Sequence, residues 1–149
     1  MTLSFRSDVF ADAAEIRRKV FMEEQGFQNE FDAVDEDPRT IHLTAYDEGE
    51  LVGCARVFPS DMEPGLETAP GRWVFGRLAV LPSRRGKGMG SRILAEAEQL
   101  ARQSGAAEMH LHAQCYAQPL YAKAGYVAYG PVEFDEHVEH QWMEKRLST

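Results

Sequence analysis

The sequence predicts an α/β (α+β) domain, a mixed β-sheet with helices packed on it. Three observations predict it. Met89, Ile93, Ala97, Leu100 and Ala101 line one face of a helix that lies between two apolar, strand-like runs. Residues 41–46 and 51–58 are strand-like and are joined by Asp47-Glu48-Gly49-Glu50, a hairpin turn. The 149 residues hold no repeat, linker or low-complexity tract, so residues 1–149 read as one domain.

Taken in order, residues 3–6 form a short first strand. Ser7 or Asp8 is placed to cap a helix running to about Gln25, with Val9, Ala13, Ile16 and Val20 at helical spacing and Gly26 as its stop. Residues 28–39 are polar and acidic and read as loop with one helical turn. After the hairpin, residues 59–71 carry three prolines and two glycines, a long loop between strands. Residues 73–81 form a strand interrupted by Gly76, a place for a bulge or a close backbone approach. The helix that follows ends near Gly105. Residues 109–113 are a short strand, residues 118–124 a short helix closed by Gly125, and residues 126–129 and about 138–146 the last strands.

A net charge of −8 argues against nucleic acid as partner, because phosphate binding needs a surplus of Lys and Arg. It suits a cationic or neutral small substrate, and equally a merely soluble surface. No apolar run approaches the roughly 20 residues that cross a bilayer, and the first residues lack a signal-peptide stretch. The expectation is a cytoplasmic protein with no membrane partner. Cys54 and Cys115 lie in apolar segments without metal-type spacing, so core thiols are expected and no metal.

The most informative segment is a strand, then Pro82-Ser83-Arg84, then Arg85-Gly86-Lys87-Gly88-Met89-Gly90, then a helix. A helix N-terminus offers unpaired N–H groups and partial positive charge, and glycines let a phosphate approach the backbone. The spacing is not the G-x-G-x-x-G of dinucleotide folds. It is not a P-loop either, since Gly88 rather than Ser or Thr follows Lys87. The competing reading is a glycine-rich turn that only starts a helix.

The run R-x-x-G-x-G from Arg85 to Gly90, after Leu78-Ala79-Val80, resembles the acetyl-CoA motif of the GNAT N-acetyltransferase superfamily. A second segment, from Gln114 through Ala117, Leu120, Tyr121 and Gly125 to Tyr126, is similar to that superfamily's N-x-x-A-x-x-L-Y-x-x-x-G-F, with Gln114 for Asn and Tyr126 for Phe. Arg17, Val20-Phe21 and Glu24-Gln25, with Asp37, His42, Gly76-Arg77, Phe134-x-Glu136, His140 and Met143, resemble the ElaA-like branch.

The resemblance implies a GNAT-type sheet of about six or seven strands, splayed between two central parallel strands, here residues 73–81 and 109–113. It implies that Leu78, Ala79 and Val80 pair with the pantetheine arm of acetyl-CoA. Arg84, Arg85, Gly86, Lys87, Gly88, Met89, Gly90 and Ser91 would take the pyrophosphate, with Gln114 and Tyr121 beside the cofactor. The reaction implied is direct attack of an amine, on a small molecule or a peptide, upon the thioester. Tyr121 aligns with the acid that protonates the departing thiolate; the alternative is a Tyr that only packs there. Glu24 is the candidate base, acting directly or through water, against a plain surface carboxylate. His110 and His112 share a strand face, and either can reach the cleft. His42, Glu136 and His140 are candidate acceptor contacts. Arg77 can clamp a substrate carboxylate or pair with one of the many acids. The cluster Asp32-Asp35-Glu36-Asp37 reads as a solvated acidic loop, or as an attractor for a cationic amine. A non-catalytic acyl-CoA sensor with the same fold, a nucleotide-phosphate binder, and a homodimer through the C-terminal strands are the other expectations.

Overall fold

A computed structural model describes residues 2–147. Seven strands form one mixed sheet: β1 Leu3–Arg6, β2 Ile41–Asp47, β3 Glu50–Pro59, β4 Arg72–Val80, β5 Glu108–Gln114, β6 Val127–Asp135 and β7 Val138–Arg146. Three helices flank it, α1 Phe10–Arg17, α2 Met89–Gln103 and α3 Gln118–Lys123. The strand order is β1-β2-β3-β4-β5-β7-β6. All pairs are antiparallel except β4 with β5. Parallel neighbours need a long crossover, and α2 supplies it.

Helix α2 packs its apolar stripe, Ile93, Leu94, Ala97 and Ala101, against Val52, Phe75 and Leu111 on one sheet face. The other face carries α1, where Ala13, Ile16 and Val20 meet Cys54 and Ala79. Cys54 is fully buried, and burial pushes its thiol up to about 12. The β2–β3 turn is the expected two-residue hairpin, with Glu48 at φ 51°. Among the described residues no helix is long and apolar enough to cross a membrane.

Local structure departs from the sequence expectation in three places. Val9, not Ser7 or Asp8, precedes the first helical residue, and its aliphatic side chain makes no capping bond; the Asp8 carboxylate is instead held by Arg6 at 3.1 and 3.2 Å. The first helix does not run as one α-helix to Gln25. Residues Arg18–Glu24 widen into a π-helical stretch, closed by Gln25 N–H donating to the Val20 carbonyl at 3.0 Å. Such wide turns re-aim side chains near functional sites, and here Phe21 and Gln25 are turned toward a cleft. Strand β6 continues to Asp135 rather than stopping near Tyr129. A register shift between Tyr129 and Glu133 lets it resume pairing with β7 at Glu133↔His140.

Candidate active site

The central parallel pair is short. β4 and β5 are in register from Arg72↔Glu108 to Phe75↔Leu111 and then part. Beyond that point β4 stays with β3 through Ala79↔Cys54 and Val80↔Gly53. β5 instead follows β7 through His112↔Trp142 to Gln114↔His140. A bulge drives the divergence: Arg77 and Leu78 together oppose the single residue Ala55, and Arg77 takes φ 55°. That left-handed backbone is costly for a side chain such as arginine. It is held by ion pairing, with Arg77 Nε 2.8 Å from Glu30 Oε2 and Nη2 donating to the Glu30 carbonyl at 2.9 Å.

A cleft of about 750 Å³ fills the gap and runs on to both sides of the sheet. This volume falls in the range of small-molecule and cofactor sites. Leu78, Ala79 and Val80 line it along the free edge of β4, and Arg84, Arg85, Gly86, Gly88, Met89 and Gly90 line its far end. Gly86 and Gly88 have φ 79° and 75°, and a Cβ on either would meet no atom within 4 Å. The first turn of α2 starts at Gly88 with no side-chain cap, which leaves its N–H groups for a ligand. An extended, peptide-like arm ending in a diphosphate therefore fits the residues present: an open strand edge, then an uncapped helix N-terminus.

Two of the loop's three cations are already paired within the chain. Arg84 reaches Asp47 at 3.0 Å and also contacts Glu50. Arg85 donates to both Glu24 oxygens and, through Nε, to the Val80 carbonyl at 2.9 Å. Lys87 and Ser91 lie outside the cleft lining, at its rim in sequence but not in contact with it.

Tyr121 of α3 lines the cleft from the α2 side, with its ring edge-on to Phe75 at 6.2 Å. Burial pushes its phenol above the ordinary tyrosine value, and the hydroxyl makes no hydrogen bond among the described residues. It stays protonated at neutral pH. Gln114, at the end of β5, lines the same space and donates to Gln25 Oε1 at 2.8 Å.

On the opposite side of the sheet the cleft is walled by Phe58, Trp142, His112 and His140. Beside that wall, and itself lining the cleft through Glu30, Asp32, Arg56 and Arg77, lies an ion network that the acidic loop was not expected to make. Arg17, 1% exposed, binds Glu30 at 2.8 Å and Asp35 at 2.7 Å. Arg56, 5% exposed, binds Asp32 at 2.7 Å and Asp35 at 2.8 Å. Burial disfavours the Asp35 carboxylate, yet the Arg17 guanidinium outweighs it and brings its pKa down to about 2. Asp35 is thus a buried structural counter-ion and Asp32 an exposed one, while Glu36 stays on the surface. Buried charges such as Arg17 and Asp35 persist only when paired and hydrogen-bonded.

The structure brings only some of the sequence-derived candidates together. Arg77 and His140 line the cleft. Glu24 does not; it is half-exposed and bound to Arg85, whose guanidinium holds the carboxyl below its usual range. His42 lies outside the lining too, with Nε2 3.2 Å from the Asp35 carbonyl and its ring edge-on to Phe10 at 4.6 Å. Glu136 accepts from the Gln28 and Asn29 N–H groups at 3.0 Å each, and so anchors the loop after the first helix. His110 is spent on the Tyr129 hydroxyl at 2.7 Å. Sequence reasoning did not single out Arg56, Glu30 or Trp142. Trp142 alternates with His140 along β7, a signal that the period of two could have given.

Comparison with known proteins agrees with this geometry. The family model for the acetyltransferase (GNAT) domain matches residues 7–147. The uncharacterised N-acetyltransferase YjcF of Bacillus subtilis is 33% identical over 135 residues, 90% of this chain and 90% of that one. Crystallographic ElaA of Escherichia coli superposes with TM-score 0.83 at 21% identity, covering 97% of this chain and all of that one. YncA of Salmonella typhimurium, solved with its cofactor acetyl-CoA, superposes with TM-score 0.74 at 19% identity, covering 100% and 96%.

Proposed function

We propose that this chain, which belongs to the GNAT acetyltransferase family, moves an acetyl group from acetyl-CoA to a primary amine by direct attack in a ternary complex. The amine is carried by a small molecule or a peptide. The observation that carries the reading is the parting of β4 from β5 beyond Phe75 and Leu111, with the glycine loop at one end of the gap and Tyr121 beside it. When bound, acetyl-CoA supplies an activated thioester and is consumed as a substrate. The rest falls to the chain. Leu78, Ala79 and Val80 offer backbone groups to the pantetheine arm, and the Gly86–Gly90 turn with the start of α2 offers N–H groups to the diphosphate. Tyr121 donates its proton to the departing sulfur. YncA, of the same fold, is solved with acetyl-CoA, which supports the donor.

At the acceptor end, Arg56 and Arg77 are neutralised by Glu30, Asp32 and Asp35 and do not repel an ammonium group. Glu63 and Asp135 line the same space with no basic ion-pair partner among the described residues, which supports a cationic acceptor. On this reading Arg77 holds the β4 bulge open instead of clamping a substrate carboxylate. A homodimer would use β6, an edge strand that exposes Val132 and Phe134.

Calorimetry with acetyl-CoA, CoA and ATP, followed by thiol release over a panel of amines, tests the function. Binding of CoA but not ATP, with release on at least one amine, is the expected result. CoA binding without release on any amine would favour an acyl-CoA sensor. No CoA binding at tens of micromolar, the middle of the usual affinity range, would end both readings.

A further inference from the structure

Building on the acetyl-transfer reading, we infer that His112 is the base that takes the proton from the acceptor amine, with Glu133 and His140 as its positioning residues. Strand alternation on β5 sends Leu111 and Ala113 into the core under α2, and His110, His112 and Gln114 to the other face. The last β4–β5 pair is Phe75↔Leu111. His112 is therefore the first side chain on its face beyond the point where the strands part. Tyr121 belongs to the core cluster on the opposite face. A phenol on one side of the gap and an imidazole on the other keep acid and base apart, so neither quenches the other.

The ring of His112 is held by neighbours on β7 and β6. His140 of β7 stacks on it at 5.0 Å and 26°, and Trp142 of β7 lies at 4.8 Å and 31°. From β6, Glu133 Oε1 lies 3.4 Å from Nε2, and Asp135 adds negative charge nearby. That 3.4 Å contact lacks hydrogen-bond geometry, so Nε2 is buried without a bond in the ligand-free chain. A proton on Nε2, turned toward Glu133, leaves the Nδ1 lone pair to accept one; Nδ1 makes no hydrogen bond among the described residues. Burial, and then the neighbouring His140, hold this imidazole below its usual pKa, so it is neutral and basic at neutral pH. Three other candidates are committed elsewhere: Glu24 to Arg85, His110 to Tyr129, Glu30 to Arg17 and Arg77. Glu63 and Asp135 line the cleft as carboxylates without a basic partner among the described residues, and they attract a cationic acceptor.

The step balances. A cationic acceptor first gives one proton to solvent; the lone pair of the neutral amine then forms the new C–N bond, the C–S pair leaves on sulfur, and one N–H proton passes to His112. The sulfur takes the phenolic proton of Tyr121, giving amide and free thiol. His112 then releases that proton from Nδ1 to solvent, which restores the tautomer with its proton on Nε2 facing Glu133, and Tyr121 regains one from solvent.

Three measurements test the assignment together. His112→Asn is expected to lower kcat/KM by about 10²–10³-fold while CoA affinity by calorimetry stays within about threefold, and to abolish the acidic limb of the pH–rate profile. In the intact, ligand-free protein, the His112 ring pKa measured by NMR is expected to equal the pKa of the kcat/KM acidic limb. Glu133→Gln removes a charge that favours the imidazolium, so both values should move to lower pH together. Wild-type turnover with an unchanged limb in His112→Asn, or a mismatch between ring titration and limb in the wild type, overturns the proposal. An unmoved titration in Glu133→Gln overturns the positioning role of Glu133. Failure of the wild type to bind CoA is a separate result, which removes the acetyl-transfer reading itself.

Discussion

Arg85 grips Glu24 with both terminal nitrogens, at 2.6 and 2.7 Å, across 61 residues of sequence, and also covers the Val80 carbonyl on the free edge of β4. One residue of the anion loop thus ties down both the carboxylate nearest to it and the strand edge a pantetheine arm would use. The pair is partly exposed, so it adds at most about 1 kcal/mol to stability.

Glu24→Gln frees Arg85 for phosphate. CoA affinity is expected to hold or rise, with turnover changed by only a few-fold and the melting temperature nearly constant. Titration calorimetry and steady-state assays check this. A hundredfold loss of kcat would restore Glu24 as the base.

Gly88 combines φ 75° with open space where an anion would lie. Gly88→Asp adds left-handed strain of order 1 kcal/mol and a negative charge at the start of α2. CoA binding should weaken by at least tenfold in calorimetry while the circular dichroism of the fold persists. Wild-type affinity in this variant would remove the cofactor site.

Tyr121→Phe deletes a hydroxyl that makes no hydrogen bond among the described residues. Stability should therefore hold. Turnover should fall more than CoA affinity, because the loss is confined to the leaving-group proton. Equal turnover of the two enzymes would assign Tyr121 to packing.

Arg17 sits at the centre of the buried network, and Arg17→Met leaves Glu30 and Asp35 short of a counter-charge. Breaking one partner of a buried pair costs about 3–5 kcal/mol. Denaturant unfolding should show a loss of that order. A loss below about 1 kcal/mol, the range of surface pairs, would mean that Arg56 and Arg77 compensate fully.

Acid should destabilise the protein in two stages. Burial lowers the imidazole pKa of His42, His110 and His112, so the unfolded chain takes up those protons first. Stability is then full above roughly 6.5, the unperturbed histidine value, and falls as pH drops below it. Asp35, at about 2 against an ordinary value of roughly 3.9, adds a second loss as pH falls from near 4 toward 2. Melting temperature measured from pH 8 to 3 checks both. A flat profile between pH 7 and 5 would show that the histidines are not neutral and buried in the folded chain.

The sequence by itself determined the elements whose signals are local. The stripe Ile93, Ala97, Ala101 repeats within one helix, and the β2–β3 turn lies within four residues. The glycine spacing at 86, 88 and 90 marked an anion site for the same reason, and with the segment leading to Tyr121 it carried the resemblance that implies the donor. Gly76 marked the break in β4, although only the register showed that the bulged residues are Arg77 and Leu78.

Tertiary structure decided which charged groups remain free to act. Glu24, Arg77, Asp32 and Asp35 all read as candidate contacts in sequence, and each is consumed by a partner 18 to 61 residues away. His112 on β5 and His42 on β2 are the same residue type in one sheet, yet one lines the cleft and the other rests on Phe10. Ion pairing and burial depend on distances between segments remote in the chain. Hydrophobic period and turn chemistry are written within a few residues, whereas the roles of these charges exist only once the sheet has brought their partners together.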